Sequence, residues 1–346
     1  MNKISTICIC GGGGLGTVCA GVFLSKGLTV NILTGHPTDW SREILVTDLN
    51  NHLFSGKLND VSSDPNIVIK DADLILMTIP GFLIEKTLHD IKPFLKKDAV
   101  VGSVVGSTGF FFFAHKILGE SHTLFAFQRV PYIARTQEYG HSGKLLGYKP
   151  LLKASIENCS NPRELANILE SLFNTPIELL ENFYEVSLTN SNPILHTGRL
   201  YSLWNDYRGE LLSKQSLFYE EWDDYASELI IAMDREFQNL LTVLGIRRNA
   251  IPNLLDYYES NDAKSLTAKL RSIPAFKGIG SPMKKSGNGW IPDFNSRYFT
   301  EDFPFGLRFI RDIALTRNIK CEVIEKVLEW GLSKIHDSRS GTLNKQ

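Results

Sequence analysis

The chain alternates short, almost wholly apolar runs with longer segments in which apolar residues recur at helical spacing. Residues 4–10, Ile-Ser-Thr-Ile-Cys-Ile-Cys, read as a buried strand. Residues 17–26 carry a helical pattern closed by Gly27, and residues 28–34 return to strand. Behind Asp71 and Asp73, residues 74–80 (Leu-Ile-Leu-Met-Thr-Ile-Pro) predict a parallel strand buried on both faces. Residues 83–95 predict an amphipathic crossover helix and residues 99–105 a further strand. The run Phe110 to Phe113 fits a helix buried against a sheet better than a stacking platform. Residues 124–132 predict a strand and loop, 144–157 a strand or hairpin, and 177–180 a last strand. Residues 162–173 predict a helix with Asn161 as cap and Pro162 at its first position.

Between the first strand and the first helix stands Gly11-Gly12-Gly13-Gly14-Leu15-Gly16. This is Gly-x-Gly-x-x-Gly in the strand–turn–helix setting of a dinucleotide-binding fold. Gly11 suits the tight turn, Gly13 a close approach of phosphate, and Gly16 the packing of helix on strand. Gly14 and Leu15 lie in the same turn, where the helix N-terminus offers N–H donors and partial positive charge. Thr78-Ile79-Pro80-Gly81, at the end of a later strand, falls where open α/β sheets bind cofactors, which brings in Pro80. Many NAD-binding folds end their second strand in a carboxylate for the ribose 2′-hydroxyl. Here that place is held by Thr34, and the next carboxylate is Asp39. Thr34 as a donor, with His36 or Arg42 as a cation, favours NADP, with NAD as the alternative. The bland reading of Arg42 is a solvated charge at the start of the next helix.

After about residue 182 the strand-like runs cease. Helical spacing is found over residues 193–204, 222–244 and 321–335, residues 277–292 read as loop, and the polar tail 338–346 reads as frayed. The expected fold class is therefore an α/β Rossmann-type N-terminal domain over residues 1–181 and an all-α C-terminal domain over residues 182–346, with substrate held between them.

Composition adds mostly exclusions. The 346 residues suffice for two domains, 43% are hydrophobic, 22% are charged and the net charge is -1. No bulk charge draws the chain to nucleic acid or anionic membrane, and no apolar run approaches a membrane span. Residues 4–10 lead straight into the glycine turn, so no signal peptide is expected. Five cysteines, three of them in the first 20 residues, read as small core residues of a cytoplasmic protein rather than a disulfide or zinc framework.

The helical region opens with Asn190-Ser191-Asn192-Pro193-Ile194-Leu195-His196. Pro193 suits a first helical position with Asn192 as its cap, which puts His196 at the end of the first turn. There it is either a proton carrier or a core histidine. Three features taken together resemble the opine dehydrogenase family, the octopine and nopaline dehydrogenases: the glycine turn, Asn192-Pro193-x-x-His196, and Arg297-Tyr298-x-x-Glu301-Asp302. Gln128-x-x-Pro131-Tyr132-x-x-Arg135 is similar to that family's segment after the cofactor strands. The likeness runs in order from residue 4 to about residue 310.

The resemblance implies an enzyme that joins an amino acid to a 2-oxo acid and reduces the resulting imine with hydride from NAD(P)H. It makes His196 the catalytic acid/base and Asp302 the carboxylate that orients and charges it. It makes Asn192 either a nicotinamide contact or a plain cap. Arg297 becomes a bidentate clamp for a substrate carboxylate, or else a surface partner of Glu301. Gln128 and Arg135 are further candidates for substrate carboxylates, with Arg129 an alternative to Arg135. A homodimer is compatible with this reading. The rivals are a ketopantoate-reductase-like or β-hydroxyacid dehydrogenase, and a non-catalytic NADP-binding sensor. The first group uses a lysine early in the second domain, and residues 183–204 contain none.

Overall fold

The computed structural model describes residues 4–343, the side chains of Thr108 and of 336–343 excepted. The chain divides into two compact units between Thr189 and Asn190, eight residues beyond the boundary expected after residue 181. The difference is a short helix, Phe183–Ser187, whose Val186 lies in an apolar core of the first unit.

The first unit is built in the order β1 (Thr6–Cys10), α1 (Gly14–Ser25), β2 (Thr29–Leu33), β3 (Glu43–Asp48), β4 (Leu53–Lys57), β5 (Asp60–Ser62), α2 (Pro65–Val68), β6 (Leu74–Met77), α3 (Gly81–Ile91), β7 (Val100–Ser103), α4 (Phe110–Leu118), β8 (Thr123–Phe127), β9 (Tyr132–Glu138), β10 (Ser142–Tyr148), β11 (Leu152–Glu157), α5 (Pro162–Phe173), β12 (Ile177–Leu179) and α6 (Phe183–Ser187). An eight-stranded sheet runs β12-β11-β8-β7-β6-β1-β2-β5. Its strands are parallel from β5 to β8, and β11 pairs antiparallel with β8. The strand order reverses at β1, between β2 and β6, so the crevice for a ligand opens at the carboxyl ends of β1 and β6. Ile7 to Cys10 and Leu74 to Met77 are buried on both faces, as their unbroken apolar runs require. Each such side chain contributes about 1.5–3 kcal/mol of transfer free energy.

A second sheet, β4-β3-β10-β9, covers the outer side of α1. That explains why α1 is buried at every position from Gly16 to Phe23 and shows no amphipathic stripe. Gly21 admits the β3 strand: a Cβ there would lie 2.6 Å from Val46 Cγ2. This sheet differs from expectation. The bland reading of Arg42 as a solvated charge set it at the start of a helix, yet it leads into strand β3. The segment 144–157 is not one hairpin either, because β10 belongs to the small sheet and β11 to the large one. Asn161 caps α5 by accepting from Glu164 N at 3.3 Å, with Pro162 in the first turn, as its sequence implies.

The second unit contains α7 (Asn192–Trp204), α8 (Asp224–Val243), α9 (Leu254–Tyr257), α10 (Ala263–Ser272), β13 (Met283–Ser286), β14 (Gly289–Pro292), α11 (Arg297–Thr300), α12 (Arg308–Thr316) and α13 (Glu322–Leu343). It is helical, with one correction: part of the segment read as loop, 277–292, forms the β13–β14 hairpin. The helix α13 takes in the first part of the polar tail, whose residues 344–346 lie outside the described residues. Among the described residues no helix is long and apolar enough to cross a membrane.

Candidate active site

In the first unit the glycine turn lines a cavity of about 730 Å³ together with Thr34, Gly35, Thr78, Ile79, Pro80 and Leu83. The glycines differ in what they accommodate. Gly11 has φ +122°, and a Cβ there would lie 2.6 Å from Thr78 Oγ1. At Gly16 a Cβ would lie 2.2 Å from Gly11 O, so the helix could not approach the strand. Around Gly13 there is no atom within 4 Å of such a Cβ. Gly13 is thus the position whose bareness serves something other than the protein's own packing, and this cradle fits a dinucleotide phosphate. Gly14 faces β9, where a Cβ would lie 2.9 Å from Thr136 N. Leu15 packs partly buried against the core beneath the turn.

Thr78 belongs to the strand-end motif already noted, whereas Tyr139 and Thr136 escaped the sequence pattern. Thr78 Oγ1 donates to the carbonyls of Cys10 at 3.1 Å and Gly11 at 3.3 Å, pinning the turn to β6. Tyr139, in the β9–β10 turn, brings its hydroxyl to 3.3 Å from Thr34 Oγ1 and would lie 2.7 Å from a Cβ at Gly12. Thr136 closes on Gly14 from the same strand pair. Contacts this far apart in the chain, 105 residues for Thr34 and Tyr139, leave no local signal.

Thr34 is buried and at the cavity wall, as expected for the end of β2. Arg42 is not brought to it. Its guanidinium donates to Asn59 O and pairs with Asp60 at 3.3 Å, lining a separate surface hollow with Leu28, Thr29 and Lys57. Arg42 immediately precedes strand β3, which runs from that hollow. His36 is exposed, and its N–H donates to Thr34 Oγ1 at 3.3 Å. Gln128 Nε2 donates to Glu185 O at 3.4 Å, while Arg129 and Arg135 are exposed.

In the second unit, His196 and Asp302 meet across 106 residues: Nδ1 lies 2.9 Å from Asp302 Oδ2. Both side chains are mostly buried, at 12% and 18% exposure. The approach has a packing cause. Pro193 opens α7 and lies against Gly306, where a Cβ would come within 2.5 Å of Pro193 Cγ. Phe303 in turn lies over Gly331 of α13, where a Cβ would come within 2.0 Å of its ring. These two contacts seat the turn after α11 on the start of α7, placing Asp302 beside the residue one helical turn beyond Pro193.

The other nitrogen, His196 Nε2, lies 3.0 Å from the hydroxyl of Tyr219, a residue the sequence pattern did not single out. Burial, with Tyr298, Tyr258 and Asp302 nearby, pushes the Tyr219 hydroxyl far above its ordinary range. The rings of Phe218 and Tyr298 flank the imidazole at 5.7 and 4.7 Å.

Asn192 does not cap α7. The helix begins at Asn192 with Ser191 at the cap position, and Asn192 N donates to Asn190 Oδ1 at 3.2 Å. Arg297 forms a bidentate pair with Glu301 (2.8 and 2.9 Å) that holds its guanidinium further above the usual value, and its side chain is 81% exposed. The structure thus joins His196 to Asp302 and leaves Arg297 in the surface pair that was its alternative.

A dinucleotide turn at a strand-order reversal and a buried His–Asp pair in a helical unit define an NAD(P)-dependent dehydrogenase. Comparison with known proteins agrees. Residues 179–335 match the family described as NAD/NADP octopine/nopaline dehydrogenase, alpha-helical domain, and residues 6–117 match the NAD-dependent glycerol-3-phosphate dehydrogenase N-terminus. The octopine dehydrogenase of Mizuhopecten yessoensis is 25% identical over 95% of this chain and 90% of its own length. The tauropine dehydrogenase of Arabella iricolor is 27% identical over 93% and 89%. A solved structure of octopine dehydrogenase with NADH and L-arginine shares the fold, with a TM-score of 0.83 at 24% identity over 96% of this chain and 89% of that one. Over its helical unit the chain matches the opine dehydrogenase family, and the octopine and tauropine dehydrogenases align with it along more than nine-tenths of its length.

Proposed function

We propose that this protein condenses the amino group of an amino acid with a 2-oxo acid and reduces the imine to a secondary amine, an N-(1-carboxyalkyl) amino acid. The observation that carries the proposal is the His196 Nδ1–Asp302 Oδ2 contact of 2.9 Å. Condensation needs a base to take a proton from the substrate ammonium group and then an acid to protonate the departing hydroxyl. One imidazole performs both if a carboxylate fixes its orientation and stabilises its charged form. Asp302 is placed to do this for His196.

The cofactor, when bound, supplies a hydride. Gly11 and Gly13 would face its pyrophosphate at the helix start formed by Gly14 and Leu15, Gly16 would let that helix approach the strand, and Thr34 and Pro80 lie on the cavity wall. We assign Arg297 to a substrate carboxylate, to be released from Glu301 in exchange. Gln128, Arg135 and Asn192 are lesser candidates for polar contacts with substrate. NADP remains the favoured cofactor because Thr34 stands where a carboxylate would repel a 2′-phosphate. Arg42 gives that preference no support, since Asp60 occupies it.

The test is oxidation of NADH and of NADPH over a panel of amino acids, including arginine, alanine and norvaline, crossed with 2-oxo acids, including pyruvate. The reading requires consumption that depends on both partners. Consumption with the oxo acid alone would favour the simple ketoacid reductase, and tight cofactor binding with no turnover would favour the sensor. Fluorescence titration decides the cofactor: NADPH should bind more tightly than NADH, and equal or reversed affinities would remove the preference.

A further inference from the structure

Tyr219 lies in the segment between α7 and α8, and its hydroxyl is 3.0 Å from His196 Nε2. The placement is built rather than incidental. The Tyr219 ring is stacked on Phe276 at 3.9 Å and 15°, and on Trp222 at 5.9 Å and 7°. The backbone beside it is held by Arg199, three residues after His196 on the same helix. Arg199 Nε donates to Phe218 O at 3.2 Å and Nη2 to Glu221 O at 2.6 Å, while Nη1 pairs with Asp223 at 3.0 Å. Arg199 is 1% exposed, and its guanidinium lies 5.3 Å from the centre of the Trp222 ring. A buried arginine is costly unless its donors are satisfied, and here they are used to fasten the Tyr219 segment to α7. One helix therefore carries both the imidazole and the clamp that presents a hydroxyl to it.

The two partners of His196 differ in what they can do. The Asp302 carboxylate only accepts, so it keeps a proton on Nδ1. A phenol that stays protonated donates to Nε2 of the neutral imidazole, and after rotation of its O–H it accepts from Nε2–H of the imidazolium. We propose that Tyr219 is a positioning residue that keeps Nε2 as the nitrogen exchanging protons and prevents the ring from turning over between its two protonation states. The other titratable groups facing this arrangement are Asp302, Tyr298 and Tyr258. The inference rests on the reading of His196 as the proton carrier, and the test separates the two.

Tyr219→Phe keeps the ring and its stacking and removes only the hydroxyl. With the reduced cofactor, 2-oxo acid and amino acid that turn over fastest in the panel, kcat should fall about 3- to 10-fold, the effect of one hydrogen bond. The KM values should stay within about twofold, as expected when an interaction serves the chemical step. The pH–kcat profile should move along the pH axis. Independently of substrate, the His196 Nε2 resonance in histidine-¹⁵N-labelled enzyme should shift between wild type and Y219F. An unmoved pH profile and an unmoved resonance, with H196A still losing at least two decades in kcat, would overturn this inference and leave the role of His196 standing. So would a change confined to KM. Wild-type turnover in H196A would remove both.

Discussion

The two units build their sites in opposite ways. In the first, the site is a stretch of six consecutive residues, Gly11 to Gly16, whose contribution is mostly the absence of side chains. In the second, the site is a set of side chains, His196, Asp302 and Tyr219, brought together across 106 and 23 residues. A backbone cradle is specified mostly locally, because Gly11 and Gly16 answer steric demands from the turn itself and the adjacent strand while Gly13 is left open. A proton-carrying pair is specified by packing elsewhere, at Pro193 on Gly306 and Phe303 on Gly331. The first kind of site is therefore sensitive to added atoms, the second to removed ones.

That contrast can be broken by substitution. Removing the imidazole with His196→Ala should lower kcat by about two to four decades while the dissociation constant for the reduced cofactor stays at the wild-type value. Comparable losses in binding and turnover would show that the helical unit is not specialised for proton transfer.

Adding atoms to the turn should act the other way round, with two distinct outcomes. Gly13→Val projects into open space, so the variant should keep its melting temperature and lose about a hundredfold or more in cofactor affinity, about 2.7 kcal/mol. Gly16→Ala collides with the carbonyl of Gly11 and should destabilise the fold by about 1–3 kcal/mol in thermal unfolding. Equal behaviour of the two variants in both assays would erase the distinction between a ligand-facing and a packing glycine.

The smallest effect concerns the strands that carry the turn. Asp73, just before β6, accepts from Ser5 N, Ser5 Oγ and Thr6 N, each at 2.9 Å, and from Lys96 Nζ at 2.6 Å, tying β6 to the start of β1. Burial pushes the Asp73 carboxyl up, but these donors, Lys96 foremost, outweigh it and hold the group at about 2. Because the folded value lies below the ordinary carboxylate value of about 4, the stabilisation is complete above about pH 4 and is lost as the pH falls toward 2. Asp73→Asn should cost about 1 kcal/mol at pH 7 and flatten the acid limb of the stability curve over that interval. An unaltered acid limb would mean that these strands are joined by other means.

The same contrast governs what the amino-acid sequence discloses. The parallel core was legible because β1 and β6 are unbroken apolar runs and Gly27 and Asn161 mark helix ends. The small sheet was not. In β3 the inward Ile44 and Val46 are interrupted by Leu45, which is 48% exposed, so the strand shows no alternation. In β9 Tyr132 is buried and Ala134 packs against the core, but Ile133 between them is 47% exposed and residues 135–138 are all exposed, which blurs the two faces again. Missing that sheet hid the course of Arg42, which directly precedes β3 and pairs with Asp60 rather than lining the cavity with Thr34. At the second site, the resemblance to the opine dehydrogenases paired His196 with Asp302. Nothing local marks Tyr219, whose position depends on Arg199 reaching across from α7.

The central claim is that a carbon–nitrogen bond is formed and reduced, and the product reports on it directly. Enzyme supplied with reduced cofactor, a 2-oxo acid and a ¹⁵N-labelled amino acid should yield a secondary amine whose mass spectrum contains the label and the carbon skeletons of both substrates. Recovery of a 2-hydroxy acid beside unaltered labelled amino acid would contradict the account.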